Sequence, residues 1–287
     1  MSELTPFLQK EKRKSEDDLQ RQRDWCAKLA EEPEQTIKGL VNVNGAWSSN
    51  PRSLLDHWTF LFSLDAWTDS AGVLHPEKVT VRKVVDESHL RELERVTSAE
   101  SIISLRAHIG NLPGFNVRQA ALVELIDSPV EDVALKQFAL ALSTPLMVES
   151  KLLGQLTLDR RTNWFEGVAR LGTRKIRINL SPKDIADASL VIATAEELWA
   201  NLRELTRRAI EFAAAELLEV KNGSWLEERE SPFHSSQFTR KMKLESITVN
   251  EDGKFDFWFN DGGLFWGHSI EVSGDSQRGF FNAGFHG

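Results

Sequence analysis

The sequence predicts an α+β protein in which an N-terminal helix precedes a small β-barrel module and a larger module of sheet and helix. Three observations lead to this prediction. Short segments rich in β-branched and aromatic residues recur along the chain, as in strands. One short helix interrupts the first group of such segments. A long amphipathic helix separates two later groups, and this arrangement is typical of the α+β class.

Length and composition indicate an ordinary globular protein. The chain has 287 residues, of which 41% are hydrophobic and 27% charged, and its formal net charge is −8. We expect a cytoplasmic protein, because the sequence has neither an apolar run long enough to span a membrane nor a secretory signal. Cys26 is the single cysteine, so no intrachain disulfide can form. The acidic balance argues against a dedicated nucleic-acid-binding protein.

Residues 1–35 are predicted to form an N-terminal helical segment. Large apolar residues recur loosely on one helical face, and Ser15 followed by three acidic residues is typical of a helix N-terminus. We therefore place a surface helix at residues 15–31, ending before Pro33. Such a helix either docks on or hangs from the rest of the protein, or serves oligomerisation.

Residues 36–128 are predicted to form a small OB-like β module. Five segments have strand composition, and a short helix at residues 88–96 lies between the third and the fourth. The five strands are placed at residues 36–43, 58–64, 78–85, 101–109 and 119–126. This is the element order of the five-stranded OB-type Greek-key barrel. Another small α+β domain is the alternative.

A linking segment at residues 129–150 contains a predicted helix at residues 130–143. Residues 151–287 are predicted to form a separate α+β domain with its own core. Its strands are expected at residues 151–158, 164–171, 175–180, 244–249, 255–259 and 268–272. The long helix is placed at residues 195–220, with Thr194 and Glu197 as its capping box. We predict an antiparallel sheet with this helix packed across one face.

The sequence carries no familiar catalytic signature. Phosphate-binding loops, dinucleotide fingerprints, metal-ligand spacings and nucleophile elbows are all missing from it, so no cofactor or metal is implied. The best polar constellation consists of Asp159, Arg160, Arg161, Glu166, Asp261 and His268. A histidine beside a carboxylate can act as a general base, which makes Asp159, Glu166, Asp261 and His268 the candidate catalytic residues. The alternative is that these groups cap turns and make structural hydrogen bonds.

Aromatic residues concentrate near the C-terminus. Nine of the 25 Phe and Trp residues lie within residues 254–287. Strand alternation directs the three Phe of residues 255–259 toward the core and Trp258 toward the opposite face, beside Asp256. Because Trp is enriched at interface hot spots, we take Trp258, Trp266 and Asp256 as candidate protein-binding residues. The alternative is that another part of the chain covers them.

Two segments carry a family signature. Leu158-Asp159-Arg160-Arg161 with Trp-Phe-Glu-Gly at residues 164–167, and Leu-Phe-Trp-Gly-His at residues 264–268, resemble a bacterial family of unknown function over residues 150–287. The resemblance implies no specific activity. A second likeness, to small immunity-type domains of bacterial toxin–antitoxin competition systems, implies a protein partner.

The leading expectation is therefore a non-enzymatic protein-binding protein, in an immunity role that neutralises a basic toxin. One alternative is a hydrolase-type activity around His268. The other is single-strand nucleic-acid binding by the first module, with Trp47, Trp58 and Trp67 as stacking platforms. Residues 36–150 contain ten Lys and Arg against fourteen Asp and Glu, a net charge of −4 that disfavours this alternative. A local basic strip of Arg82, Lys83 and Arg106 favours it.

Overall fold

A computed structural model describes residues 6–50 and 55–287. The chain divides into two compact units, residues 1–144 and 145–287. Each unit has its own β-sheet. Among the residues that the structure describes, the largest cluster of buried side chains lies wholly in the second unit, and three smaller clusters lie wholly in the first.

In its described residues, the first unit is a β-barrel with three helices. Its helices are α1 (Pro6–Leu29), α2 (Glu87–Val96) and α3 (Val133–Ser143), and its strands are β1 (Glu34–Ser49), β2 (His57–Thr68), β3 (Leu74–His75), β4 (Val79–Asp86), β5 (Ile102–Gly110) and β6 (Arg118–Asp127). The five long strands follow the order β1-β2-β4-β6-β5 and close by pairing of β5 with β1. Only the β4–β6 pair is parallel among them. Strands and α2 follow the predicted OB-type order, which confirms the barrel.

Alternation along the strands fills the barrel. Phe60 and Phe62 of β2 and Val81 of β4 are fully buried, and they pack with Leu105 of β5 in one cluster. Their neighbours along each strand face outward, as the period of two requires. The barrel interior is therefore a packed apolar core.

Helix α1 packs on the outside of the barrel against β2, β4 and β6. It begins nine residues before the predicted start. Its buried stripe consists of Ser15, Leu19, Gln22 and Leu29, of which only the two leucines are large apolar residues. Arg82 of β4 lies beneath it. The helix thus docks on the barrel through a partly polar interface. Of the two arrangements left open by the sequence, docked or hanging free, the docked one is observed.

The helix predicted to link the two modules belongs to the first unit. Asp132 caps α3 by accepting the backbone N–H of Leu135 at 3.0 Å. Leu135 is fully buried, and Phe138 and Leu142 pack in the same small cluster with barrel residues. The linking segment therefore divides: its helix joins the first core, and residues 147–150 become a strand of the second sheet.

The second unit is one eight-stranded sheet with three helices. Its strands are β7 (Met147–Ser150), β8 (Gly154–Asp159), β9 (Trp164–Leu171), β10 (Arg174–Ser181), β11 (Lys243–Asn250), β12 (Lys254–Asn260), β13 (Ser269–Asp275) and β14 (Gly279–His286), and its helices are α4 (Ser189–Ala200), α5 (Leu202–Ser224) and α6 (Ser235–Lys241). The strands lie in sequence order across the sheet. All pairs are antiparallel except β10 with β11, because the helices separate these two strands in the chain. The predicted sheet is confirmed, with one parallel pair added.

The predicted long helix is two helices that meet at Asn201. The side-chain Nδ2 of Asn201 donates to the carbonyl of Glu197 at 3.2 Å, and the backbone N–H of Asn201 donates to the carbonyl of Leu198. The Asn201 side chain thus takes a carbonyl that the helical hydrogen-bond ladder would use, and the helix is interrupted at this residue. The predicted capping box is wrong, since Thr194 lies inside α4 and its hydroxyl donates to the carbonyl of Leu190.

The two outermost strands were not predicted from the sequence. Residues 151–153 form a turn between β7 and β8, where a single strand was expected. At the other edge, β14 pairs with β13 and completes the sheet. Among the described helices, none is both long enough and apolar enough to cross a membrane.

Candidate functional site

Strand β12 divides its side chains between two faces of the second sheet. Phe255, Phe257 and Phe259 are at most 2% exposed and belong to the core beneath the helices. Asp256 and Trp258 alternate with them and are partly exposed. Trp258 therefore lies on the face opposite the helices of this unit, as alternation predicts.

Trp258 has close partners on this face. Its Cα partners across the strands are Ser246 of β11 and Glu271 of β13. The ring of His286 in β14 lies 5.5 Å from the Trp258 ring, and its Nε2 lies 2.7 Å from Oε2 of Glu271. Asp256 lies two residues along β12 on the same face. We call Asp256, Trp258, Glu271 and His286 the Trp258 face.

Charge is distributed unevenly along this side of the sheet. The acids Asp256 and Glu271 flank Trp258, whereas Arg170, Lys175 and Arg177 lie on β9 and β10 on the same side. None of these three bases forms an ion pair with any residue that the structure describes. The surface around Trp258 is thus acidic and is bordered by a basic strip, an arrangement suited to a partner of matching polarity.

The four candidate catalytic residues do not form one site. Asp159 and Glu166 lie on β8 and β9, whereas Asp261 and His268 lie in the connection between β12 and β13. Strands β10 and β11 separate the two pairs, and three strand spacings from β9 to β12 amount to about 14 Å. A general base acts within hydrogen-bond reach, so this arrangement does not assemble an acid–base pair across the two groups.

The Asp261 side chain hydrogen bonds to the backbone of the loop in which it lies. It is 2% exposed. Its Oδ2 accepts the backbone N–H groups of Phe265 at 2.6 Å and Gly267 at 3.2 Å, and its Oδ1 accepts that of Gly263 at 3.0 Å. Both carboxylate oxygens are therefore engaged by the backbone. The residue has the structural role that was the alternative to catalysis.

Asp159 and His268 also make local contacts. Oδ1 of Asp159 accepts the backbone N–H of Arg161 at 2.9 Å in the turn after β8. Nδ1 of His268 lies 2.7 Å from the carbonyl oxygen of Phe265, so in that hydrogen bond the ring nitrogen donates. Glu166 lies in the middle of β9, paired with Thr157 and Asn179 on the neighbouring strands.

Trp266 belongs to a different surface from Trp258. It is 58% exposed and has a φ of 54°. Its ring lies 4.6 Å from that of Trp225, which follows α5 and also contacts Phe265, His268 and Phe285. Phe285 packs against the core cluster, whereas its neighbour His286 lies on the Trp258 face. The predicted binding residues are thus divided between the sheet face and this aromatic cluster.

A buried ion pair near Trp225 was not predicted from the sequence. Lys221 is fully buried at the end of α5, and its Nζ donates to Oε2 of Glu230 at 2.6 Å and to the carbonyl of Trp225 at 2.7 Å. The hydrogen bond from Lys221, followed by that from the backbone of Glu227, lowers the pKa of Glu230. The pair holds the loop after α5 in place. A lysine at a helix C-terminus gives no sequence signal of such burial.

In the first unit, the three candidate stacking tryptophans do not share a surface. Trp47 is 46% exposed. Trp58 packs against the barrel core, and Trp67 is 3% exposed and stacks on His75 with ring centroids 3.8 Å apart. The predicted stacking platform is therefore not formed by these residues.

All three residues of the predicted basic strip, Arg82, Lys83 and Arg106, make local contacts. Arg82 is 2% exposed. Its guanidinium donates to the side-chain oxygens of Gln22 and Gln119 and lies 4.8 Å from the ring of Trp25. Lys83 donates to a barrel carbonyl at 2.6 Å. Arg106 forms ion pairs with Glu34 and Glu124 at 2.9 and 2.6 Å.

Burial at the contact between α1 and the barrel shifts the pKa values of two groups, Cys26 on α1 and Arg82 on β4. Desolvation raises the pKa of the Cys26 thiol, an effect that the nearby charge of Arg82 partly opposes. Desolvation also lowers the pKa of Arg82. No group of three or more potential metal ligands assembles within residues 6–50 and 55–287.

Comparison with protein families gives a separate match for each unit. Residues 21–141 match the model of a family described as "Domain of unknown function (DUF7021)". Residues 150–285 match that of a family described as "Uncharacterized protein conserved in bacteria (DUF2262)". A search of curated proteins finds no match to the chain. The resemblance predicted from the sequence is thus confirmed: residues 150–285 are similar to a bacterial family of unknown function.

Proposed function

We propose that this protein is a non-enzymatic, cytoplasmic protein-binding protein that captures a basic protein partner on the Trp258 face, in an immunity role against a bacterial toxin. The observation that carries the proposal is the position of Trp258. Three buried phenylalanines of the same strand fix its direction, and two acids flank it. A partly exposed Trp held rigidly in a strand gives a large contact area with little loss of conformational entropy.

The electrostatics of the chain support a basic partner. Its net charge is −8, and the acids on the Trp258 face lie next to the aromatic anchor. Complementary charge raises the association rate and excludes partners of the wrong sign. The hydrolase alternative gains no support, because the candidate acids and His268 are separated or engaged in loop structure.

The experiment measures binding to one defined partner: the product of the open reading frame next to this gene, where that product is a basic protein. Purified full-length chain is titrated by calorimetry, and growth of cells that express both proteins reports neutralisation. We expect Trp258→Ala to weaken binding by about 30-fold or more, which corresponds to the hot-spot scale of about 2 kcal/mol. Growth rescue should fall with it.

Matched variants separate binding from folding. Trp47→Ala removes a Trp that is 46% exposed in the first unit, so it should leave affinity within about threefold of wild type. His268→Ala should act through stability alone. The proposal is wrong if Trp258→Ala keeps full affinity for a partner that the wild type binds. It is also wrong if that variant unfolds the second unit, since Trp258 would then be a core residue.

A further inference from the structure

The second sheet has two open edges, and the chain shields only one of them. Among the described strands, β7 forms one edge and β14 the other. Edge strands expose unpaired backbone N–H and C=O groups, and natural proteins make them short or place charge and proline there, so that other chains do not pair with them. Strand β7 has four residues, begins two residues after Pro145 and carries Glu149. It therefore combines all three devices.

Strand β14 has none of these three devices. It is eight residues long and contains no proline, lysine, arginine, aspartate or glutamate. A bulge can also turn an edge away from other chains. The bulge in β14 lies at Phe281, which has no Cα partner on β13 and is 53% exposed. Residues 282–286 follow it in regular pairing with β13, and five residues are an ordinary length for a strand.

The backbone of residues 282–286 is paired on one side only. Among the described elements, β13 is its strand partner, and no helix or loop hydrogen bonds to its backbone. In an antiparallel ladder, alternate residues direct their N–H and C=O groups to opposite sides of the strand. About half of the backbone groups in this segment therefore point away from the sheet, where an added strand can pair with them.

The side chains of this segment are complementary to a second copy of themselves. Asn282, Gly284 and His286 lie on the side of the sheet that carries the Trp258 face. Ala283 and Phe285 lie on the other side and pack against the core cluster. Antiparallel pairing about a two-fold axis at Gly284 sets Asn282 opposite His286 of the other copy, and Ala283 opposite Phe285. Polar side chains thus meet on one face, and a small apolar residue meets a large one on the other.

The centre of this pairing is open and uncharged. A Cβ at Gly284 would meet only Nε2 of His286 in the same copy, at 3.7 Å, so no other side chain fills the space beside it. The ring of His286 is itself engaged, since its Nε2 lies 2.7 Å from Oε2 of Glu271. Like charges placed directly opposite each other destabilise a strand pair. Because no lysine, arginine or carboxylate lies within residues 282–286, a second copy meets no such repulsion there.

We propose that a second copy of this chain pairs with β14, antiparallel about Gly284, so that two eight-stranded sheets join into one of sixteen strands. A two-fold axis perpendicular to the sheet keeps like faces on the same side. Both Trp258 faces then point in one direction. Five strand spacings, about 24 Å, separate β12 of one copy from β12 of the other. The dimer does not rest on the proposed function, although it would give that function two neighbouring sites.

Sedimentation equilibrium of the full chain across micromolar concentrations tests the proposal. We expect the wild type to rise with concentration to twice the monomer mass. Gly284→Lys should raise the dissociation constant by about tenfold or more, because two lysines then lie opposite each other across the axis. Within one copy the new side chain has space, and it lies beside Glu271, the Cα partner of Gly284. Met147→Lys is the matched control on edge strand β7, at a position that is 51% exposed, and should leave association unchanged.

Hydrogen exchange at low and high protein concentration locates the contact. Amides of residues 282–286 that point away from β13 should exchange more slowly in the concentrated wild type, but not in Gly284→Lys. Circular dichroism checks folding, and Asn282→Lys, at an exposed position, replaces Gly284→Lys if the latter is unfolded.

Three results would each overturn the proposal: a wild type that stays monomeric, a folded β14 variant that dimerises like the wild type, or a dimer that Met147→Lys dissociates. A monomer that still binds the basic partner through Trp258 would overturn the dimer alone and leave the proposed function standing.

Discussion

Replacing Asp261 with Ala should destabilise the second unit by about 3–4 kcal/mol. The carboxylate accepts three backbone N–H groups, and an N–H left unsatisfied in a buried place costs about 1–3 kcal/mol. Phe265 is fully buried, so its N–H would bear the full penalty. Gly263 and Gly267 are exposed, so water can partly replace the lost acceptor there.

Urea denaturation followed by tryptophan fluorescence measures this effect, and hydrogen exchange locates it. Amides of residues 261–268 should lose protection first. Asp159→Ala is the matched control, because Asp159 accepts the exposed N–H of Arg161 and its removal should cost less than about 1 kcal/mol. If Asp261→Ala retained wild-type stability, the structural role would be refuted and Asp261 would return as a candidate for chemistry.

Two further stability predictions follow from the same region. Gly262→Ala should lower the free energy of unfolding by about 2–4 kcal/mol in urea denaturation, because φ is 60° and a Cβ would lie 2.6 Å from the Lys241 carbonyl oxygen. Gly263→Ala is the control: a Cβ there meets open space, so the loss should be only about 1 kcal/mol. Equal losses for the two variants would contradict the clash at Gly262. Lys221 lowers the pKa of Glu230 below its ordinary value of 4.5, so the pair's stability is present above that pH and is lost as pH falls through the lowered pKa. Glu230→Gln should therefore flatten the acid side of a melting-temperature profile against pH, and an unchanged profile would contradict the linkage.

Local patterns were enough to predict most strands. The alternation of Phe255, Phe257 and Phe259 with polar neighbours fixed both the strand and the direction of Trp258. The OB-type order was predictable because turn residues and a short helix separate five β-rich segments in the expected sequence. In such segments the apolar residues that alternate in the sequence are the ones buried in the fold. Local sequence and tertiary structure therefore favour the same strand.

Other features depend on contacts that are distant in sequence. The interruption between α4 and α5 at Asn201 involves a side chain that competes with the backbone for the carbonyl of Glu197. Strand β14 has a bulge opposite Ser273 and Gly274, so its sequence lacks a simple alternation. The separation of Asp159 from His268 follows from the strand order of the sheet, which spacing along the chain does not reveal.

The strand order suggests a barrel with an available ligand-binding face, but α1 covers that face. OB-type barrels bind ligands largely on the face of their second and third strands, which are β2 and β4 in this chain. Helix α1 packs on these strands and on β6, with Gln22 hydrogen bonded to Arg82. A nucleic-acid strand on that face would have to displace the helix, including Leu29, which is 1% exposed. A fold therefore supplies a surface, and the chain's own contacts decide whether that surface is available.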